Sequence, residues 1–150
     1  MMNKAGYSGT PLAKKLEIKA GSMVLLIEPP MNYLNLLEPI PENVRFFGLP
    51  DSPPWPLNEI DVEGFDTVHL FTNSRATLLQ ELSESMRHLK QDGSFWVSWY
   101  KKAAKLPTEI TEDLIREAAL QLGLVDVKVC AVDEKWSGLK LVIRKENRGK

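Results

Sequence analysis

The residues best suited to bind a ligand follow the third and fourth predicted strands, and they are Ser74, Arg75, Trp99, Lys101 and Lys102. Ser74 and Arg75 open a predicted helix, whose free amides and positive dipole end favour an anion. Lys101 and Lys102 come directly after a strand, beside the aromatic side of Trp99. Together they predict a site for a phosphate or carboxylate group. The alternative is structural: Ser74 only caps the helix, Arg75 pairs with a nearby acid, and the lysines are solvated.

The loop after the first predicted strand lacks the glycines that a nucleotide or S-adenosylmethionine site needs. It reads Glu28, Pro29 and Pro30, so two amide donors are missing and a carboxylate would repel a phosphate. The second strand should end on an acid for the ribose hydroxyls, but it ends at Gly48, and Asp51 comes late. We therefore expect no cofactor, unless a divergent site near Glu28 and Gly48 holds S-adenosylmethionine.

No catalytic residue or metal site is predicted from the remaining titratable side chains. His69 lies within the third predicted strand, and no nucleophile or acid stands at a spacing that would make it catalytic. It is expected to be a hydrogen-bonded core histidine or to face a helix. His88 lies near a helix end, and two separate histidines with the single Cys130 give no metal-ligand spacing.

Composition indicates one globular domain with no excess of either charge. The chain has 150 residues, 43% of them hydrophobic, with 19 basic and 20 acidic residues and a net charge of −1. This balance argues against a general nucleic-acid binder or a protein held to anionic membranes by charge. No apolar run is long enough to cross a membrane, and one cysteine forms no internal disulfide, so a cytoplasmic location is expected.

Strands and helices alternate along most of the chain. Apolar or alternating runs predict six strands, at residues 23–27, 44–47, 65–72, 95–100, 124–132 and 139–143. Capping residues and apolar spacing predict four helices, from Thr10 to residue 16, over 31–37, from Ser74 to about residue 89, and from Thr111 to Gly123. Residues 91–93 are expected to form a turn.

This order predicts an α/β fold of three layers: a mostly parallel sheet with helices on both faces and an antiparallel hairpin at its C-terminal end. The same order occurs in the S-adenosylmethionine-methyltransferase-like variant of the Rossmann fold. The whole chain, 1–150, is expected to form this single domain, with a frayed tail at 146–150. The proline-rich segment from Pro50 to Pro56 is incompatible with regular structure.

Four stretches together resemble a known family. They are Gly-Tyr-Ser-Gly-Thr-Pro-Leu at 6–12, His-Leu-Phe at 69–71, Trp-Val-Ser-Trp at 96–99, and Trp-Ser-Gly-Leu-Lys at 136–140. The chain resembles, over residues 6–148, a bacterial family of about this length known as a domain of unknown function. The resemblance implies a methyltransferase-like fold and transfers no catalytic residue.

The leading hypothesis is a binding or regulatory protein with a methyltransferase-like sheet that no longer holds the usual cofactor. Its partner would be a small anionic ligand or another protein, rather than nucleic acid or a membrane. One alternative is a divergent S-adenosylmethionine-dependent methyltransferase. A second is a subunit of a larger assembly, which would use Trp55 and the segment from Pro50 to Pro56 as its interface.

Overall fold

The fold is built on one six-stranded sheet. The computed structural model describes residues 11–48 and 64–148. The strands are β1 (Met23–Ile27), β2 (Arg45–Phe47), β3 (Phe65–Phe71), β4 (Leu89–Tyr100), β5 (Leu124–Ala131) and β6 (Trp136–Ile143). Their order across the sheet is β2-β1-β3-β4-β6-β5. β1 to β4 are parallel, and β6 runs antiparallel to both β4 and β5, so the predicted parallel sheet with a terminal hairpin is confirmed.

Four α-helices within the described ranges cover the sheet. They are α1 (Leu12–Lys15), α2 (Tyr33–Leu37), α3 (Arg75–Ser85) and α4 (Glu112–Gln121). The predicted caps of α3 and α4 are confirmed, because the side chains of Ser74 and Thr111 accept hydrogen bonds from the backbone amides of Thr77 and Leu114. The helix predicted to reach about residue 89 ends at Ser85, and the chain then makes a 3₁₀ turn, Met86–His88.

Each face of the sheet carries its own core. The α3–α4 face, defined by the side chains that pack beneath α3 and α4, includes Val68, Leu78, Phe95 and Ile115. The α1–α2 face includes Leu16, Tyr33, Phe71 and Trp96. Because successive residues of a strand point to opposite faces, Trp96 and Trp99 belong to different cores, as their spacing predicts.

The expectation of a turn at residues 91–93 is wrong in part, because β4 begins earlier, at Leu89. The pairing of β3 with β4 is irregular here: Phe65 lies opposite Leu89, but Thr67 lies opposite Ser94. The polar residues 91–92 are exposed within this irregularity. A Cβ on Gly93 would lie 3.0 Å from the carbonyl oxygen of Asp66, so the glycine is needed for close approach of the two strands rather than for a turn.

The C-terminal end of the chain is partly ordered by a short turn. The 3₁₀ turn Lys145–Asn147 extends into the expected frayed tail, and Asn147 Nδ2 donates to the carbonyl oxygen of Gly123 at 3.3 Å. None of the helices within the described ranges is long and apolar enough to cross a membrane. The proline-rich segment and Trp55 lie outside the described residues.

Candidate functional site

The carboxyl ends of β3 and β4 are paired through the backbone, where Thr72 N–H donates to the carbonyl oxygen of Ser98 at 3.0 Å, and Asn73 adds a further link. Asn73 Oδ1 accepts a hydrogen bond from the backbone N–H of Tyr100 at 2.8 Å, and its carbonyl oxygen accepts one from the N–H of Glu109 at 2.9 Å. In an open parallel sheet, ligands bind at this edge, where the loops leave the strands. The loops carrying the predicted site residues therefore start side by side.

The N-terminus of α3, where the sequence predicts an anion, is occupied by a carboxylate of the chain itself. The backbone N–H of Arg75 donates to Oε1 of Glu109 at 2.8 Å, and Ser74 Oγ accepts from the N–H of Thr77 at 3.3 Å. An acidic group is favoured here because it meets unpaired amides and the positive end of the helix dipole. Glu109 was not predicted to lie here, since it is 34 residues from Arg75 in an irregular loop and belongs to no motif.

The five predicted site residues differ in how much of each side chain a ligand can reach. Arg75 and Lys102 are exposed, and the guanidinium of Arg75 forms no ion pair with any residue that the structure describes. Lys101 is half-buried, and its backbone N–H donates to the carbonyl oxygen of Lys135 at 2.9 Å. Trp99 is 7% exposed and packs in the core of the α3–α4 face, so little of its ring is open to a ligand. The assignment of these residues to an anion site stays a prediction.

The loop after β1 has an unusual backbone. Glu28 adopts a left-handed conformation with φ of 57°, although it is not a glycine and precedes Pro29. Its side chain is exposed. The carbonyl oxygen of Pro30 accepts a hydrogen bond from the N–H of Tyr33 at 3.0 Å, at the start of α2. The loop thus presents a carboxylate and two residues without amide hydrogens at the edge where ligands bind.

Gly48, at the end of β2, is required by packing against the neighbouring strand. Its φ is 96°, and a Cβ here would lie 2.0 Å from the carbonyl oxygen of Leu26 in β1. The space next to this glycine is therefore filled by protein backbone. It is not an opening through which a ligand approaches the chain.

A hydrogen-bonded chain of three side chains lies within the α1–α2 face. The hydroxyl of Tyr33 is 2.9 Å from Nδ1 of His69, and Nε2 of His69 is 2.7 Å from Oγ of Ser98. All three side chains are at most 1% exposed. Burial lowers the pKa of His69 to about 3 and raises the pKa of Tyr33 above its usual value, so both groups are neutral. The prediction that His69 is a hydrogen-bonded core residue is confirmed.

The structure has a hollow of ≈ 450 Å³ beside α1. It is lined by Pro11, Ala13, Lys14, Glu17, Ile18, Lys19, Pro39 and Pro41. The lining residues precede β1 and β2, so the hollow lies away from the carboxyl ends of the strands. In the described parts of the chain, no three His, Cys, Asp or Glu side chains are grouped to hold a metal ion.

Solved structures similar to this fold include methyltransferases. A protein from Sulfolobus solfataricus, described as a type 11 methyltransferase, is 16% identical with a TM-score of 0.60 over 93% of each chain. A SAM-dependent methyltransferase from Aquifex aeolicus is 14% identical, with a TM-score of 0.61 over 89% of this chain and 88% of that one. Fibrillarin from Aeropyrum pernix, solved with natively bound S-adenosyl-L-methionine, is 15% identical, with a TM-score of 0.60 over 91% and 70% of the two chains. At these identities the likeness shows the fold, which is methyltransferase-like as predicted.

Sequence comparison gives the family. No curated protein matches the sequence. A family model described as "Protein of unknown function (DUF3052)" matches residues 57–145. Three of the four stretches that suggested a family of unknown function lie within this match, and the stretch at 6–12 lies outside it. The match covers more than half of the sequence, so the chain belongs to the family of proteins of unknown function DUF3052.

Proposed function

We propose that this chain is a cytoplasmic binding or regulatory protein that uses a methyltransferase-like fold to bind a small anion instead of the usual cofactor. The observation that carries the proposal is the loop after β1. Two consecutive prolines replace amide donors there, and Glu28 points a carboxylate into solvent. Cofactor loops in nucleotide-binding sheets need the opposite: small residues and free N–H groups that approach the ligand closely.

The end of β2 supports the same view. In a ligand site a glycine allows the ligand to approach the backbone, but Gly48 accommodates the carbonyl oxygen of Leu26 instead. The residue before Gly48 is Phe47, which is 1% exposed in the core and has no group that binds a hydroxyl. The two places at which a dinucleotide-type cofactor is usually held are thus filled by proline, apolar side chains and backbone.

The cations at the ends of β3 and β4 support an anionic ligand. Arg75 and Lys102 are both exposed, and they follow two strands that are paired side by side and linked further through Asn73. Glu109 occupies the backbone N–H of Arg75, which indicates that a carboxylate is stable at this position. The ligand would therefore be bound mainly by the two cationic side chains, next to the acid that the chain already holds.

The test is a thermal-shift titration with citrate, ATP and S-adenosylmethionine. A ligand at a hundred times its dissociation constant stabilises the native state by about 2.7 kcal/mol, which is several degrees for a chain of this size. We expect citrate or ATP to raise Tm and S-adenosylmethionine to leave it unchanged. Arg75→Ala and Lys102→Ala should each reduce the shift, and Lys19→Ala, an exposed lysine before β1, should not.

Other outcomes would favour the other candidates. A divergent S-adenosylmethionine-dependent methyltransferase is favoured by the structural neighbours, one of which was solved with that cofactor. A shift with S-adenosylmethionine alone would support this candidate and contradict the anion site. No shift with any of the three ligands would contradict both and favour the subunit hypothesis, in which the segment from Pro50 to Pro56 forms the interface.

A further inference from the structure

In the described parts of the chain, four residues other than glycine adopt the left-handed backbone conformation, and two of them are glutamates; the four are Glu17, Glu28, Asn43 and Lys105. Glu17 has φ of 62° and Glu28 has φ of 57°. A side chain with a Cβ is strained in this region, and such strain persists only where the surrounding structure imposes it. For each of the two glutamates, the group that its carboxylate contacts is therefore informative.

For Glu17 the answer lies within the chain. Its Oε1 accepts a hydrogen bond from Nζ of Lys140 at 2.6 Å, and its Oε2 accepts one from Nζ of Lys128 at 3.1 Å. The strained residue follows α1, and both lysines belong to the terminal hairpin. The left-handed conformation thus places a carboxylate between two cations and fastens α1 to the sheet.

For Glu28 no such cation is found in the described parts of the chain. Its carboxylate forms no ion pair there, although its backbone is as unusual as that of Glu17. Pro29 makes the conformation less favourable still, because a residue before proline is biased towards extended structure. A glycine at this position would relieve the strain, so the glutamate is not explained by local folding.

The position of Glu28 relative to the cations follows from the strand register. Ile27 at the end of β1 lies opposite Leu70 of β3, and Phe71 lies opposite Ser98 of β4. Glu28 is therefore one strand away from the loop of Arg75 and two strands away from the loop of Lys102. Neighbouring strands lie about 4.8 Å apart, so the loops that carry Glu28, Arg75 and Lys102 leave the same edge of the sheet from neighbouring positions. This edge therefore carries charges of both signs, as a small ligand with both charges would require.

We propose that Glu28 binds the cationic amine of a small zwitterionic ligand whose anionic group is held by Arg75 and Lys102. This inference rests on the anion site proposed above and adds the chemical class of the ligand. The ammonium group of the ligand would pair with the carboxylate of Glu28, as the ammonium groups of Lys128 and Lys140 pair with that of Glu17. The glutamate then weakens, without abolishing, the binding of ligands that carry negative charge alone.

The closing experiment compares glutarate with L-glutamate, two dicarboxylates that differ by one ammonium group. If only cations formed the site, glutarate would bind more tightly, because it carries the larger negative charge. With Glu28 in the site, we expect L-glutamate to bind about fivefold more tightly than glutarate, as measured by calorimetry. Glu28→Gln should reverse the preference, and Glu38→Gln, an exposed glutamate in the next loop, should preserve it.

Two further readouts make each outcome decisive. Glu28→Gln should also raise the affinity for citrate about twofold, since it removes a like charge near the site. Glu28→Gly should have a higher Tm than Glu28→Gln, because both lack the charge but only glycine fits the left-handed backbone. A glutarate preference that is unchanged in Glu28→Gln would overturn the inference and leave the anion site standing. No binding of citrate, glutarate or L-glutamate would overturn both.

Discussion

The two faces of the sheet bury side chains of different character. On the α3–α4 face the buried side chains are mainly aliphatic and aromatic, with Val68, Leu78, Phe95 and Ile115 each fully buried, and Ser85 is a buried polar residue of α3. On the α1–α2 face the apolar side chains surround polar groups, and His69 at the centre of the sheet is 0% exposed. The two cores are built on the same strands, since alternate residues of β3 and β4 point to opposite sides.

The difference shows two ways of holding a helix to a sheet. Burial of apolar surface holds α3 and most of α4, although Arg116 of α4 also donates from Nε to Oδ2 of Asp126 in β5 at 3.0 Å. On the other face, the hydroxyl of Tyr33 must meet Nδ1 of His69, and Nε1 of Trp96 donates to the carbonyl oxygen of Leu16 at 3.3 Å. These directional contacts fix α2 and the segment after α1 in position. That matters for the proposed site, because α2 directly follows the loop that carries Glu28.

The largest expected effect is a loss of stability from a substitution on the α3–α4 face. Leu78 is 0% exposed and its neighbour Leu79 is 43% exposed on the same helix. Leu78→Ala should lower the free energy of unfolding by about 3 kcal/mol, through lost burial and the cavity left behind. Leu79→Ala should change it by less than about 0.5 kcal/mol. Urea unfolding of both variants measures this, and equal losses would show that α3 does not pack as described.

The next largest effect is a loss of stability on the α1–α2 face, and it depends on pH. The pKa of His69 is lowered by burial to about 3, below its value of 6.5 in the unfolded chain. Between these two pH values, His69 is therefore protonated in the unfolded chain and neutral in the folded protein. The contribution of neutral His69 is fully present above pH 6.5 and is lost as the pH falls towards 3. Between pH 7 and pH 5 this group alone should lower the free energy of unfolding by about 2 kcal/mol.

NMR titration separates His69 from the carboxylates that titrate in the same range. The imidazole signals of His69 should stay those of a neutral ring from pH 8 to pH 5, and His88→Gln should identify the other histidine by the loss of its signals. A midpoint for His69 near pH 6.5 would contradict the buried hydrogen-bonded chain and remove the contrast between the two faces.

The strands were predictable from the sequence where apolar runs are bounded by turn residues. β1 and the terminal hairpin follow this rule, and Leu139 and Leu141 alternate with Lys140 between them. The start of β4 was not predictable, because the polar residues 91–92 indicate a turn when read alone. Only the pairing with β3 extends the strand back to Leu89. Tertiary contacts here override local preference.

The residues of the candidate site were predictable only in part, because some of its contacts join distant parts of the chain. The missing glycines after β1 are visible in the sequence, and so are Arg75 and Lys102 at the ends of two strands. The contact of Glu109 with the amide of Arg75 joins residues 34 apart, and no spacing rule connects them. The left-handed backbone of Glu28 was also hidden, since glutamate gives no signal for that conformation.

The smallest expected effect concerns the ion pairs between Glu17, which follows α1, and the terminal hairpin. Burial by itself would raise the pKa of Glu17, but the hydrogen bonds and charges of Lys140 and Lys128 outweigh it and hold the pKa below its usual value. Glu17 is 40% exposed, so solvent screens these pairs, and Glu17→Gln should cost only about 1 kcal/mol of unfolding free energy. The cost should shrink as the pH falls through the lowered pKa, because the wild-type carboxylate then becomes neutral.

Glu28→Gln, without ligand, should change the free energy of unfolding by less than about 0.5 kcal/mol. Urea unfolding at pH 7 compares the two variants. Equal costs would mean that Glu28 is also bound within the chain, and the contrast between a glutamate used for folding and one kept for a ligand would no longer hold.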